Sequence, residues 1–372
     1  MLIHGGTDAH YIPSGHLVYL SGGNLMAVPF DAKRLQVAGN AIRVLEGVRH
    51  SESGAGLFSV SATGSLAYVP GGLEQRTSRF VWVDRKGRRT PLAAPPRVYG
   101  QFSLSPDGRQ VAVSIPSGPR SDIWTHDIAR NNSTRLTSQG LNNLPIWTPD
   151  GKWITYQSSK GGPLNLFRMP ADLSGAEQQL TKSDSRATPA SWSPDGKELV
   201  FSVQDPINAS DLWVMPANDF SKARPWLRTA ATESQARFSP NGRWLAYISN
   251  ETSRVEVYVR PFAGPGGKQQ ISTEGGLEPL WAPTGKELFY RSGRKMMMVE
   301  VTTDSSFTKS APRVLFEGQF VGATYPIGTS AISPDGQRFL MREPVESSQP
   351  VNQMNMVLNW SEELKKRVAR GK

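Results

Sequence analysis

Residues Ser191–Phe201 read SWSPDGKELVF. Within them, Ser193-Pro194-Asp195-Gly196 has the composition of a type I turn. Proline presets φ, the polar third residue tolerates the bridge region, and glycine accepts a positive φ. Leu199 and Phe201 lie three and five places beyond the glycine, so they share one face of a strand. The stretch predicts two antiparallel strands joined by a tight, bulged turn.

The hairpin recurs in both directions. Ser105-Pro106-Asp107-Gly108, Thr148-Pro149-Asp150-Gly151, Ser239-Pro240-Asn241-Gly242, Ala282-Pro283-Thr284-Gly285 and Ser333-Pro334-Asp335-Gly336 repeat it. Ile12-Pro13-Ser14-Gly15 and Ser61-Ala62-Thr63-Gly64 are weaker copies. Successive glycines are 43 to 51 residues apart, close to the ~40–45 residues of a four-stranded propeller blade. A third run follows each hairpin, such as IWTHD (123–127) or LWVMP (212–216). A more polar fourth usually ends the unit, such as TRLTS (134–138) or QQLTK (178–182).

The pattern predicts an all-β chain: one β-propeller domain of four-stranded blades over residues 1–360, followed by a basic tail, 361–372. Eight hairpins favour eight blades, with seven as the alternative. The last unit lacks a fourth strand, and Met1–Gly6 precedes the first unit like a stray one. Pairing Met1–Gly6 with the blade of residues 329–360 would close the ring and remove its sheet edges.

The 372 residues are 38% hydrophobic and 20% charged, a globular composition that excludes wholesale disorder. Gly and Pro are many but lack a three-residue period, which excludes collagen. No apolar run approaches the ~18 residues of a membrane helix, and the first fifteen residues lack the basic start and apolar core of a secretory signal. Cysteine is absent, which removes disulfides, thiolate metal sites and Cys nucleophiles. The net charge of +10 is dispersed, except for five Lys/Arg and two Glu in Ser361–Lys372. A nucleic-acid binder concentrates such charge in a patch, so no nucleic-acid partner is expected.

With its six good copies, the repeat resembles the PD40, or TolB-like, class of β-propeller, whose pattern SWSPDGKELVF fits. Gly15–Asp31 (GHLVYLSGGNLMAVPFD), Ser59–Gly72 (SVSATGSLAYVPGG), Trp82–Gly87 (WVDRKG) and Leu358–Val368 (LNWSEELKKRV) further resemble the C-terminal region of bacterial transmembrane Ser/Thr protein kinases. There a kinase domain and one membrane helix precede an extracytoplasmic propeller. The resemblance implies a periplasmic or cell-envelope location if the chain is part of a longer protein. No kinase motif is present to carry over.

Catalytic constellations are missing from the sequence. There is no G-x-S-x-G elbow and no H-E-x-x-H among the five histidines; His126 beside Asp127 reads as a strand histidine. Asp107, Asp150, Asp195 and Asp335 come once per blade and read as turn formers rather than a carboxylate cluster. Gly264–Lys268 is glycine-rich but lacks the Ser/Thr of a phosphate loop. Most of the ten Trp sit at repeated strand positions and read as packing between blades. Trp226 is off register and is expected to be an exposed contact.

The expectation is therefore no enzyme, no metal and no cofactor, but a monomeric module that binds a protein, a peptide or a small ligand. A propeller lyase, glycosidase or peptidase-associated ring with an active site at the channel mouth is the alternative. Polar loops leading into the inner strands would form the binding surface. Its candidate residues are Tyr99, Gln101, Asn142, Asn143, Arg186, Glu233, Gln235 and Glu278.

Overall fold

The computed structural model describes residues 3, 6–50, 55–71, 77–118, 120–204, 210–264, 266–304, 306–322, 329–345 and 353–370. The chain divides into two compact units, where the repeat period had suggested one domain. Met1–Arg76 with Glu346–Lys372 form the first, and Thr77–Val345 form the second.

Among the described residues of Thr77–Val345, six antiparallel sheets succeed one another as blades. Blade 1 is Phe102–Leu104, Gln110–Ser117, Arg120–Asp127 and Asn132–Arg135. The inner strands of blades 2 to 5 are Asn142–Trp147, Ala187–Trp192, Glu233–Phe238 and Leu277–Trp281. Blade 6 joins the two ends of the unit. Its inner pair, Ser330–Ile332 and Arg338–Pro344, continues into Ser78–Asp84 and Arg89–Pro91. The register runs without a break from Arg338↔Asp84 to Pro344↔Ser78.

This corrects the expected eight-bladed ring. The place beside Arg338–Pro344 that Met1–Gly6 was to fill belongs to Ser78–Asp84; most of Met1–Gly6 lies outside the described residues. The third run after Gly64, FVWVD (80–84), leaves its own hairpin for a partner more than 250 residues away. Asn355–Val357, read as the third strand of the last blade, pairs instead with Leu66–Tyr68. A sequence period counts hairpins, whereas sheet membership depends on which strand lies alongside.

The blade faces are apolar on both sides, because each sheet packs against two others. Along Ser78–Asp84, Phe80 and Trp82 join the cluster shared with blade 1, which includes Phe102, Val111 and Val113. The alternate residues Val81 and Val83 join blade 5 through Phe289, Met296 and Met298. Such alternation is the period-two signature of a strand buried on both faces. The apolar pairs beyond each turn glycine behave alike: Leu199 and Phe201 are buried together between blades 2 and 3, and Leu245 and Tyr247 between blades 3 and 4.

The turns share one geometry. Ser193 Oγ donates to Asp195 Oδ1 (2.7 Å), Lys197 N donates to the same oxygen (3.1 Å), and Glu198 N donates to Ser193 Oγ (2.9 Å). Corresponding bonds form at Ser105–Asp107 and Thr148–Asp150. They also form at Ser239–Asn241 and Ser333–Asp335. The serine hydrogen bond holds the carboxyls of Asp107, Asp195 and Asp335 below the usual range. These aspartates are turn formers, as their spacing implied.

Neighbouring turns also touch. A Cβ at Gly151 would meet Pro106, one at Gly242 would meet Pro194, one at Gly285 would meet Pro240, and one at Gly336 would meet Pro283. At Gly108 it would meet Pro334 of blade 6 at 2.8 Å, which joins first blade to last; at Gly196 it would meet nothing within 4 Å.

The other unit holds a five-stranded sheet, Thr7–Ile12, His16–Ser21, Asn24–Asp31, Gln36–Val37 and Ile42–Leu45. A second sheet contains Asn355–Val357, Leu66–Tyr68 and Phe58–Val60. The tail expected to be a solvated helix end is the helix Trp360–Arg370. Trp360 and Leu364, one turn apart on one face, are buried in a core with Ile12, Val18, Leu25 and Leu66. The charge of the tail had masked this apolar stripe.

Two predictions follow from these contacts. Leu364→Ala should destabilise the Met1–Arg76/Glu346–Lys372 unit by about 2–5 kcal/mol, read by denaturant unfolding. Gly108 and Gly196 have φ of +73° and +71°, but a Cβ at Gly196 meets nothing within 4 Å. Gly196→Ala should therefore cost about 1–2 kcal/mol for the left-handed backbone alone. Gly108→Ala should cost more by the clash with Pro334, and equal melting temperatures would contradict the six-bladed closure.

Candidate binding site at the channel and its entrance

Each inner strand runs from one end of the channel to its turn at the other, so the first residues of the six strands surround one entrance. The structure places the candidate residues there, but at the strand starts rather than on free loops. Asn142 and Asn143 open the blade 2 inner strand, Glu233 and Gln235 lie in that of blade 4, and Glu278 lies in that of blade 5. Tyr99, Asn142, Glu233 and Glu278 are buried, and Gln101, Asn143 and Arg186 are half-buried.

Their polar groups are engaged across the joints between blades. Ser121 Oγ of blade 1 donates to Asn142 O and Asn143 Oδ1, both at 2.8 Å. Gln157 Nε2 of blade 2 donates to Ala187 O (2.5 Å), and Arg186 Nη2 approaches Gln157 Oε1 (3.3 Å). Arg237 of blade 4 donates to Ala190 O of blade 3. Gln235 Oε1 accepts from Glu278 N (2.7 Å). Glu278 Oε1 accepts from Thr329 N and Oγ1, both at 2.8 Å, and its Oε2 accepts from Ser330 Oγ (2.5 Å). Arg342 of blade 6 donates to Tyr99 O, next to blade 1, while Tyr99 Oη donates to Pro95 O (2.6 Å). Every joint of the ring thus carries a polar tie near the entrance. A strand start that left these groups unpaired would bury unsatisfied donors and acceptors.

Backbone geometry contributes to this. Leu144, Gln235 and Glu278 have positive φ, each where the inner strand slips register against its neighbour. These bulges re-aim the side chains at the entrance.

Arg237, Arg342 and Ser121 were not among the expected residues. Arg237 was discoverable. At the same inner-strand place the blades carry Ser103, Ile146, Ser191, Arg237, Leu280 and Ala331, and all six line one channel cavity of 230 Å³. Superposing the repeats puts a single charge in that layer. Arg342 had no such signal, because its partner Tyr99 lies 243 residues away.

Other expectations were placed as follows. Trp226, expected to be exposed, is half-buried: its Nε1 donates to Phe262 O (2.9 Å) and its ring lies against Tyr247 and Phe262. Trp82, Trp192 and Trp281 are buried between blades. His126 Nδ1 is 3.0 Å from Ser133 Oγ, and burial lowers its pKa. Among the described residues, no three His, Asp or Glu side chains gather as metal ligands, and no helix is long and apolar enough to cross a membrane.

Residues 58–210 match the family model of the TolB beta propeller domain. That stretch is similar to the TolB propeller family. Over 102 residues the chain is 34% identical to an uncharacterized protein of Agrobacterium fabrum, covering 27% of this chain and 34% of the relative. Over 228 residues it is 25% identical to the Tol-Pal system protein TolB of Francisella tularensis subsp. mediasiatica, covering 58% of this chain and 50% of that protein. The chain thus spans half or less of the length of these relatives. A solved structure assigned as TolB from Agrobacterium tumefaciens superposes with a TM-score of 0.58 at 18% identity, over 73% of this chain and 98% of that one, a likeness of fold.

The entrance contains one proton-sensitive group. Glu233 is 1% exposed, and burial pushes its carboxyl up to about 7 despite the Thr229 hydroxyl that donates to it. Its folded-state pKa is raised, so its contribution favours the fold below about 4.5 and is lost as pH rises through about 7. Between pH 5 and pH 8 the wild type should therefore lose stability relative to Glu233→Gln, by up to about 3 kcal/mol. Melting temperatures of both proteins across that range would check this; parallel curves would contradict it.

Proposed function

We propose that this chain is a non-catalytic interaction or ligand-sensing module that engages a partner at the channel entrance. The observation that carries the proposal is the tied ring of strand starts: polar residues from neighbouring blades are fixed by cross-blade hydrogen bonds. A surface held this way is pre-organised, so little conformational entropy is lost when a partner binds. Gln101, Asn143 and Arg186 retain solvent-accessible surface there and are the proposed contacts; the buried Tyr99, Asn142, Glu233, Gln235 and Glu278 position them. The TolB relative is named for a multi-component system, which supports a protein or peptide partner.

The same relatives and the kinase-like stretches support an extracytoplasmic place at the bacterial cell envelope. There the module would serve as the sensor part of a longer receptor or as a separate binding protein. The proposal includes no turnover.

Affinity capture from envelope extracts with the purified full chain tests the proposal. The triple variant Gln101→Ala/Asn143→Ala/Arg186→Ala should lose the captured partner at least tenfold while keeping its melting temperature within a few degrees. Undiminished capture by the folded variant would move the contact elsewhere. Turnover of peptides, glycans or esters abolished by one channel substitution would replace the module with an enzyme.

A further inference from the structure

Two cavities of the channel meet at Arg237. On one side is a cavity of 40 Å³, lined by Gln101, Thr188, Ser202, Gln235 and Arg237 among others. On the other, the 230 Å³ cavity is faced by Phe102, Ile146, Trp147, Trp192 and Leu280, together with serines and Arg237. Arg237 is the one charged residue that lines either cavity.

Two side chains at this junction keep N–H groups without a protein acceptor. Arg237 gives one hydrogen bond, through Nη1 to Ala190 O, and its other guanidinium N–H groups have no partner among the described residues. The nearby Glu278 carboxylate accepts from Thr329 and Ser330 rather than from the guanidinium, and its negative charge acts on Arg237 from the same side of the ring. Gln235 is 9% exposed. Its Oε1 takes the Glu278 N–H (2.7 Å), which fixes the amide orientation and leaves Nε2 a buried donor without a partner. A buried donor such as Gln235 Nε2 is normally satisfied, and the exception calls for an acceptor. A guanidinium fork is matched in shape and charge by a carboxylate. The aromatic and aliphatic walls beyond it suit an apolar body.

We propose that the channel binds a small organic acid, with its carboxylate held by Arg237 and Gln235 and its apolar body between Trp147 and Trp192. This seat does not rest on the partner proposal. The two experiments read different events: calorimetry uses the wild-type chain and Arg237→Gln, and capture uses the triple variant.

Isothermal titration calorimetry of the full chain with benzoate tests the seat, with benzamide and inorganic phosphate as comparators. Benzoate should give saturable binding, and benzamide, which keeps the body and removes the charge, should bind at least tenfold more weakly. Phosphate, which keeps the charge and removes the body, should also bind at least tenfold more weakly. Arg237→Gln should weaken benzoate at least tenfold and leave benzamide unchanged. If that variant fails to fold, the three ligands on the wild-type chain still decide the matter. No saturable benzoate binding, equal binding of benzamide or phosphate, or full benzoate affinity in folded Arg237→Gln would each overturn the proposal.

Discussion

The ring depends on the antiparallel pairing of Ser78–Asp84 with Arg338–Pro344. Without it, blade 6 would be a bare hairpin, and the unpaired edge of Arg338–Pro344 would be open to other chains. The pairing also sets the two faces of the closing sheet. Phe80 and Trp82 reach blade 1 while Val81 and Val83 reach blade 5, so one strand completes two apolar layers. A slip of one residue would exchange those faces. The remaining joints repeat the same arrangement with strands that are neighbours in sequence.

Two polar belts accompany the apolar joints. At the turn end, the Ser–Asp pairs hold their turns in shape, and at five of the six turns a proline of the neighbouring turn lies against the glycine. At the entrance, Asn142, Gln157, Arg237, Glu278 and Arg342 tie blade to blade. Residues that look like solvated loops in the sequence are therefore structural first. Their remaining exposed edges are held rigid, which is why the entrance suits recognition. The guanidinium of Arg237 ties blade 3 to blade 4 and still faces the channel with open N–H groups.

Much of the fold was legible because it is local. The type I turn of Ser193-Pro194-Asp195-Gly196, the hydroxyl–carboxylate pairs and the buried residues three and five places beyond each glycine all follow from neighbouring residues. The repeated tryptophans were legible for the same reason. The candidate site was legible only in position. Sequence offsets located the strand starts, but the burial of Glu233 and Glu278 reflects partners in other blades. Trp226 misled because its register differs, while its Nε1 finds Phe262 36 residues on.

The sequence by itself determined the all-β character, the hairpin period, the turn chemistry and the apolar layering, since each is set by short-range sterics and by periodicity. Only the tertiary structure decided how many hairpins share one ring, that FVWVD (80–84) serves the last blade, and that Leu358–Val368 carries a helix with a buried stripe. It also decided that Gln235 and Arg237 leave donors open in the channel. The physical reason is that pairing partners and unpaired donors depend on what lies alongside in space, and strand pairing carries no local mark of a partner hundreds of residues away.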